Sequence, residues 1–281
     1  MKKQNKVIFY GTPDFARDCL KYLINENVKI SAVVTTPDKY SGRGRKISFS
    51  SVKEFCLKNN IKIFQPENLK DELFLSLIKK IAPDFQIVVA FRMLPKEIWS
   101  IAKVFTFNLH ASFLPNYRGA APINWAIING ENKTGLTTFI IDEKIDTGLI
   151  LLNEEVKIDP LDTFLSLSYK LLKRAGPLIK KTIEYHLSGK LTPKKQILIG
   201  NEKYAPKLTS ENIKIDWNKS LDLIEKKIRG LSPTPGAWTF FINDNNKSRM
   251  KIIQSSVIYV DHNNELLKII EKDGNILISL N

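Results

Sequence analysis

The chain has 281 residues, of which 43% are hydrophobic and 26% charged, and its 43 basic against 29 acidic residues give a formal net charge of +14. That length favours two folding units, or one large unit with an appendage, each long enough to bury a core. The composition excludes disordered, collagen-like and disulfide-scaffold classes. No apolar run reaches the roughly 18 residues of a membrane span, and the basic start MKKQNKVIFYGTPDF meets a glycine turn too early for a signal peptide. A cytoplasmic chain without membrane contact is therefore expected.

The first half alternates strands and helices. KVIFY (residues 6–10) reads as a strand; GTPDFARDCLKYLIN turns at Gly11 and then carries Phe15, Cys19, Leu20 and Leu23 at helical spacing. VKISAVVTT (28–36) is a second strand. SSVKEFCLKNN (50–60) is a helix capped by Ser50 or Ser51, IKIF (61–64) a short strand and DELFLSLIKKI (71–81) a helix. DFQIVVAF (84–91) is a continuous apolar run suited to a central parallel strand, and VFTFNLH (104–110) is a fifth strand. PINWAIING follows as a helix with Pro122 in its first turn, then the strands TGLTTFII (134–141) and LILLNEEVKI (149–158) and a helix over 162–186. This order predicts an α/β class: a Rossmann-like open, mostly parallel sheet with helices on both faces.

Over SGKLTPKKQILIGNEKYAPKLTS (188–210) the alternation stops and Gly, Pro and Lys dominate, as in a linker. Beyond it come IKIDW, the helix LDLIEKKIRGL, the turn SPTPG, and short strands in AWTFFI, RMKIIQSSVIYV (249–260), ELLKIIEKD and NILISL. The expected organisation is a catalytic unit over 1–189, a basic linker over 190–207 and a small β unit over 208–281.

Ligands of open α/β sheets bind outside the carboxyl ends of the strands. Asn108 and His110 close the fifth strand and share one face of it by the two-residue period. An amide NH2 and an imidazole aimed at one point suit a developing oxyanion and a proton in transit near neutrality. IIDEKIDTGLIL supplies a carboxylate to orient the imidazole; Asp146 and Asp142 both qualify, and spacing does not choose between them. The stretches GTPDF and GRGRK complete neither GxGxxG nor GxxxxGK[ST], which disfavours a dinucleotide or P-loop role. The latter belongs to an exposed loop whose Arg43, Arg45 and Lys46 could grip phosphates, and Lys190, Lys194, Lys195, Lys203 and Lys207 form a second basic strip. The positive excess fits a polyanionic partner. Cys19 and Cys56 lie in helical patterns without metal or redox spacing, and three scattered histidines add no ligand set, so no metal is expected.

On these residues the sequence resembles the methionyl-tRNA formyltransferase family. GTPDFA, TTPDKYSGRGRKISFSSVK, IFQPENLK, FNLHASFLPNYRGAAPINWAIINGE, DTG, YAPKLT, IDW and IRGLSPTPGAW match it in order, from about residue 6 to 240. The core NLH, SFLP, RG and D.G is shared with folate formyltransferases of amino sugars and glycinamide ribonucleotide and with a folate hydrolase. The basic loop, the linker and the IRGLSPTPGAW region look like the tRNA-directed family. The resemblance implies transfer of a formyl group from 10-formyltetrahydrofolate to the methionine of initiator Met-tRNA, by a monomer. It implies catalytic roles for Asn108, His110 and Asp146, and a folate site lined by Phe91, Ser112, Phe113, Leu114 and Pro115. Arg43, Arg45 and Lys46, with the linker's Lys194, Lys195 and Lys207, would meet the tRNA. It also implies an OB-like C-terminal barrel, expected here in shortened form because the chain stops soon after NILISLN.

Overall fold

The computed structural model describes residues 5–41, 46–243, 246–258, 269–272 and 275–278. Its first elements are β1 (Val7–Gly11), α1 (Asp14–Asn25), β2 (Ile30–Val34), β3 (Lys39–Ser41), β4 (Lys46–Ser48), α2 (Ser51–Lys58), β5 (Ile63–Phe64), α3 (Glu72–Ile81), β6 (Phe85–Val89), α4 (Lys96–Trp99) and β7 (Phe105–His110). They continue with β8 (Arg118–Gly119), α5 (Pro122–Ile128), β9 (Lys133–Ile140), β10 (Ile150–Lys157) and α6 (Phe164–Leu187). The last are β11 (Tyr204–Ala205), α7 (Leu221–Gly230), β12 (Ala237–Asn243), β13 (Asn246–Ile252), β14 (Ile269–Lys272) and β15 (Asn275–Ile278).

Seven strands form one sheet in the order β10-β9-β7-β6-β1-β2-β5. The five from β7 to β5 run parallel, and β9 and β10 add an antiparallel edge. Strand alternation sorts the core into two layers. Phe9, Ile87 and Phe107 face α1 and α6 through Leu20, Leu23, Leu167 and Ile179, while Ile8, Tyr10 and Val88 face α3 and α4 through Phe74, Ile78 and Ile98. Covered on both faces, β1 and β6 are buried at every position, which is why they read as unbroken apolar runs. Truncating a fully buried side chain such as Leu20 to Ala should cost ~2–5 kcal/mol.

The caps follow from local chemistry. The Ser50 hydroxyl accepts from Lys53 N, so Ser50 rather than Ser51 starts α2. Thr163 and Ser166 cap α6 reciprocally, and Pro122 occupies the first turn of α5.

Three expectations are corrected. The basic segment before α2 is flanked by the antiparallel pair β3 and β4, so Lys46 stands on a strand rather than in a loop; Arg43 and Arg45 lie outside the described residues. The strand expected over 249–260 ends at Ile252, where Gln254, Ser255 and Ser256 interrupt the apolar alternation. The stretch read as a linker is fastened to the α/β unit: β11 pairs in parallel with β8, and Lys194 and Ile150 exchange two backbone hydrogen bonds of 2.8 Å.

In the C-terminal region β12 with β13 and β14 with β15 form antiparallel hairpins, separate two-stranded sheets among the described residues. Ile213, Ile215, Ile224, Ile228, Leu231 and Trp238 make a small core that Ile128 of α5 joins from the α/β unit. Across the same contact Asn124 Nδ2 donates to Gly230 O at 2.8 Å, and Arg229 Nη1 donates to Asp162 O at 2.7 Å. Among the described residues no helix is long and apolar enough to cross a membrane.

Candidate active site

β1 has β2 on one side and β6 on the other, so the winding of the sheet reverses between β1 and β6. The ligand crevice of such a sheet opens at the carboxyl ends of the strands at that reversal. Register levels Tyr10 with Val88 and Val88 with Asn108 across β1, β6 and β7. Three buried side-chain atoms without a hydrogen-bond partner, Thr12 Oγ1, Arg92 Nε and Asn108 Oδ1, belong to the carboxyl ends of these same strands. An unpaired buried polar atom costs ~1–3 kcal/mol, so each of the three is a group that a ligand's own polar atoms would satisfy.

His110 is buried at the end of β7. Its Nε2 lies 2.7 Å from the carbonyl oxygen of Tyr117. A carbonyl only accepts, so Nε2 carries a hydrogen and Nδ1 is the ring atom left for chemistry. Nδ1 faces Asp146 Oδ2 at 3.7 Å, too long for a direct hydrogen bond but within ion-pair distance of a protonated ring. The same Oδ2 accepts the backbone N–H of Gly119 at 2.8 Å, which fixes the direction of the carboxylate.

Local backbone explains why Asp146, rather than Asp142, reaches the ring. Asp146 has φ +55°, a left-handed conformation that Asp tolerates better than most residues, and it turns the side chain inward. Gly148 follows where an added Cβ would lie 1.7 Å from Ile140 O, so the turn hugs the end of β9. Asp142 is spent within its own turn, accepting from Lys144 N at 3.1 Å and from Thr147 Oγ1 at 2.8 and 3.0 Å.

The other expected residues are placed unevenly. Ser112 is fully buried, and its hydroxyl donates to Asn116 O at 2.6 Å, so its side chain shapes the loop. Thr137 Oγ1 donates to Ser112 O and accepts from Leu114 N, tying that loop to β9. Leu114 is buried, Phe113 is exposed and Pro115 half-buried. The Phe91 ring, half-buried after β6, has its centroid 5.8 Å from that of Tyr10, and the Arg92 guanidinium lies over it, 5.7 Å from the centroid. Lys194, Lys195 and Lys207 are exposed.

Sequence reasoning missed Thr12, Arg92 and Gln196. Arg92 donates to the carbonyls of Pro66 and Glu67, joining the loops after β5 and β6. Gln196 donates from Nε2 to Asp146 O and Gly148 O, both at 2.9 Å. The position of Thr12 and Arg92 just past strand ends was available as a signal; that of Gln196, inside a polar stretch, was not. Among the described residues no group of three His, Cys, Asp or Glu side chains is placed to hold a metal ion.

A family model described as formyl transferase matches residues 5–183, and one described as formyl transferase, C-terminal domain, matches residues 207–280. The chain is 47% identical over 275 residues to a methionyl-tRNA formyltransferase of Flavobacterium johnsoniae, covering 98% of this chain and 87% of the relative. It is 42% identical to a methionyl-tRNA formyltransferase of Bacteroides thetaiotaomicron over 93% of this chain and 83% of that one. Among solved structures, WlaRD, a sugar 3N-formyl transferase crystallised in the presence of dTDP and 5-N-formyl-THF, superposes with a TM-score of 0.66 at 25% identity, covering 99% of this chain and 94% of that chain. By the match of both family models and the identity to these relatives along nearly its whole length, the chain belongs to the formyl transferase family, among the methionyl-tRNA formyltransferases.

Proposed function

We propose that the chain transfers the formyl group of 10-formyltetrahydrofolate to the α-amino group of methionine on initiator Met-tRNA, giving formylmethionyl-tRNA for translation initiation. The observation that supports the reading is the facing of His110 and Asp146 at the carboxyl end of β7, with Asn108 two residues earlier on the same strand, beside the winding reversal of the sheet. In this reading residues 1–189 are the catalytic unit, 190–207 the basic linker and 208–281 the C-terminal unit, and the enzyme works as a cytoplasmic monomer.

The crevice suits a folate. The Phe91 ring and the loop Ser112, Phe113, Leu114 and Pro115 offer apolar surface and main-chain groups, and Thr12 Oγ1, Arg92 Nε and Asn108 Oδ1 offer unpaired polar atoms to a heterocycle rich in donors and acceptors. The sugar 3N-formyl transferase of the same fold, crystallised in the presence of 5-N-formyl-THF, supports this class of donor. Bound there, the folate supplies an activated formyl carbon.

When the methionyl amine adds to that carbon, negative charge grows on the formyl oxygen and a surplus proton remains on the nitrogen. Asn108 answers the first with its amide N–H, a contact worth ~3–4 kcal/mol when it tightens in the transition state. His110 answers the second through Nδ1, since its Nε2–H is held by the Tyr117 carbonyl. Asp146 Oδ2, already oriented by Gly119 N–H, steadies the imidazole as it gains the proton and then passes it toward the departing folate nitrogen. These residues supply the charge and proton steps, and the reading assigns them no metal.

The tRNA side rests on charge. With a net charge of +14, Arg43, Arg45 and Lys46 before α2 and Lys194, Lys195 and Lys207 after α6 give a polyanionic acceptor two basic strips to meet.

The test is transfer from labelled 10-formyltetrahydrofolate with charged initiator Met-tRNA, charged elongator Met-tRNA, or no acceptor. Label on the initiator species alone is expected. Free formate without acceptor would make the chain a hydrolase, and retained tRNA binding without turnover would make it a binding protein.

A further inference from the structure

The segment between α6 and α7 is keyed into the candidate site at one side chain. Gln196 stands between exposed neighbours, Lys195 and Ile197, yet every hydrogen-bonding position of its amide is used. Nε2 donates to Asp146 O and Gly148 O, and Oε1 accepts from Arg118 Nε at 3.1 Å and Nη2 at 2.6 Å. Arg118 precedes Gly119, whose N–H holds the Asp146 carboxylate. The contacts therefore close a ring that runs from the Asp146 main chain through Gln196 and Arg118 to Gly119 and back to the Asp146 side chain.

We propose that Gln196 is a positioning residue for Asp146, so that the segment bearing the acceptor-facing lysines is also part of what holds the catalytic carboxylate. The inference rests on the reading of Asp146 and His110 given above. Asp146 keeps a left-handed backbone of φ +55°, a conformation that persists where its surroundings over-determine it. Gly119 secures its side-chain end and Gln196 its carbonyl end. Gly119 is itself secured from the same segment: β11 pairs with β8, Ala120 N donates to Ala205 O at 2.7 Å, and Tyr117 N donates to Lys203 O at 2.5 Å. Tyr117 in turn presents the carbonyl that holds His110 Nε2. Both partners of the 3.7 Å pair thus take their positions from residues 196–205.

The test uses the full-length chain with Gln196→Met, which keeps side-chain length and removes all four contacts. Turnover should fall ~10–100-fold, as a misplaced catalytic group does, with KM for 10-formyltetrahydrofolate and for Met-tRNA within about twofold. In an Asp146→Asn background the same change should cost nothing further, because both act through one carboxylate. An equal loss in both backgrounds would overturn the inference, as would wild-type turnover of Gln196→Met beside a crippled Asp146→Asn. Unimpaired turnover of Asp146→Asn alone would instead remove the reading of Asp146 itself. If Gln196→Met lowers Tm, Gln196→Glu takes its place: it can still accept from Arg118 but offers Asp146 and Gly148 no donor, and the same loss of turnover is expected.

Discussion

Asp146 Oδ2 lies 3.7 Å from His110 Nδ1, the ring nitrogen that the Tyr117 carbonyl leaves free. This relation separates two carboxylates of one turn. Asp146→Asn should lower turnover by ~10²-fold or more, since it removes the charge that steadies a protonated imidazole. Asp142→Asn, whose carboxylate only closes its own turn onto Thr147 and Lys144, should change turnover by less than about tenfold. Steady-state kinetics of the two variants side by side decide the assignment, and equal losses would refute it.

Asn108 should show function and stability moving apart. Asn108→Ala loses a donor aimed at developing charge, so turnover should fall ~10²–10³-fold with little change in KM. Its Oδ1 is buried without a partner, and deleting an unsatisfied group of that kind relieves ~1–3 kcal/mol against the packing lost. The variant should melt at the wild-type temperature or above it. A clear fall in Tm would mark Asn108 as a residue that holds the strand.

The pair Asn108 and His110 was legible because a two-residue period carries side-chain direction along β7, and the apolar run before it marked the neighbouring central strand. The choice of Asp146 was not legible from spacing. It depends on a left-handed backbone and on the Gly119 N–H, which the chain brings there across 27 residues. Gln196 and the β8 and β11 pair were hidden for a related reason: strands of two residues have no periodicity, and a glutamine among lysines reads as solvated surface. Docking of α7 on α5 was not legible because Asn124 and Ile128 sit in a helix whose apolar pattern already fits the main core.

The two free thiols should be inert in the folded protein. Cys19 and Cys56 are buried on α1 and α2, and burial pushes both thiols up, Cys56 to about 11. The thiolate is the reactive species, so a disulfide reagent at about pH 8 should modify neither in native protein and both in guanidinium. Rapid native labelling of either would reveal local opening of its helix against the sheet.

Glu131 should make the bracing of the site pH-dependent. Burial opposes its ionisation, but the Lys203 ammonium at 2.7 Å and the Tyr117 hydroxyl at 2.6 Å outweigh it and hold the carboxyl below the ordinary glutamate range. A folded-state value below the unfolded one means that the contribution is complete above the unfolded value of ~4.3 and is lost as pH falls through the folded value. Glu131→Gln removes the charge that pairs with Lys203, so wild type should be the more stable at neutral pH. That advantage should fade as pH falls below the unfolded value and through the lower folded one, where the carboxyl takes up its proton. Because Tyr117 also carries the carbonyl that holds His110 Nε2, turnover at neutral pH should fall in the same variant, by less than in Asp146→Asn. Chemical denaturation at a series of pH values, with turnover measured at neutrality, checks both; a stability difference between the two chains that stays constant down to low pH would show that the Glu131 contact does not brace the fold.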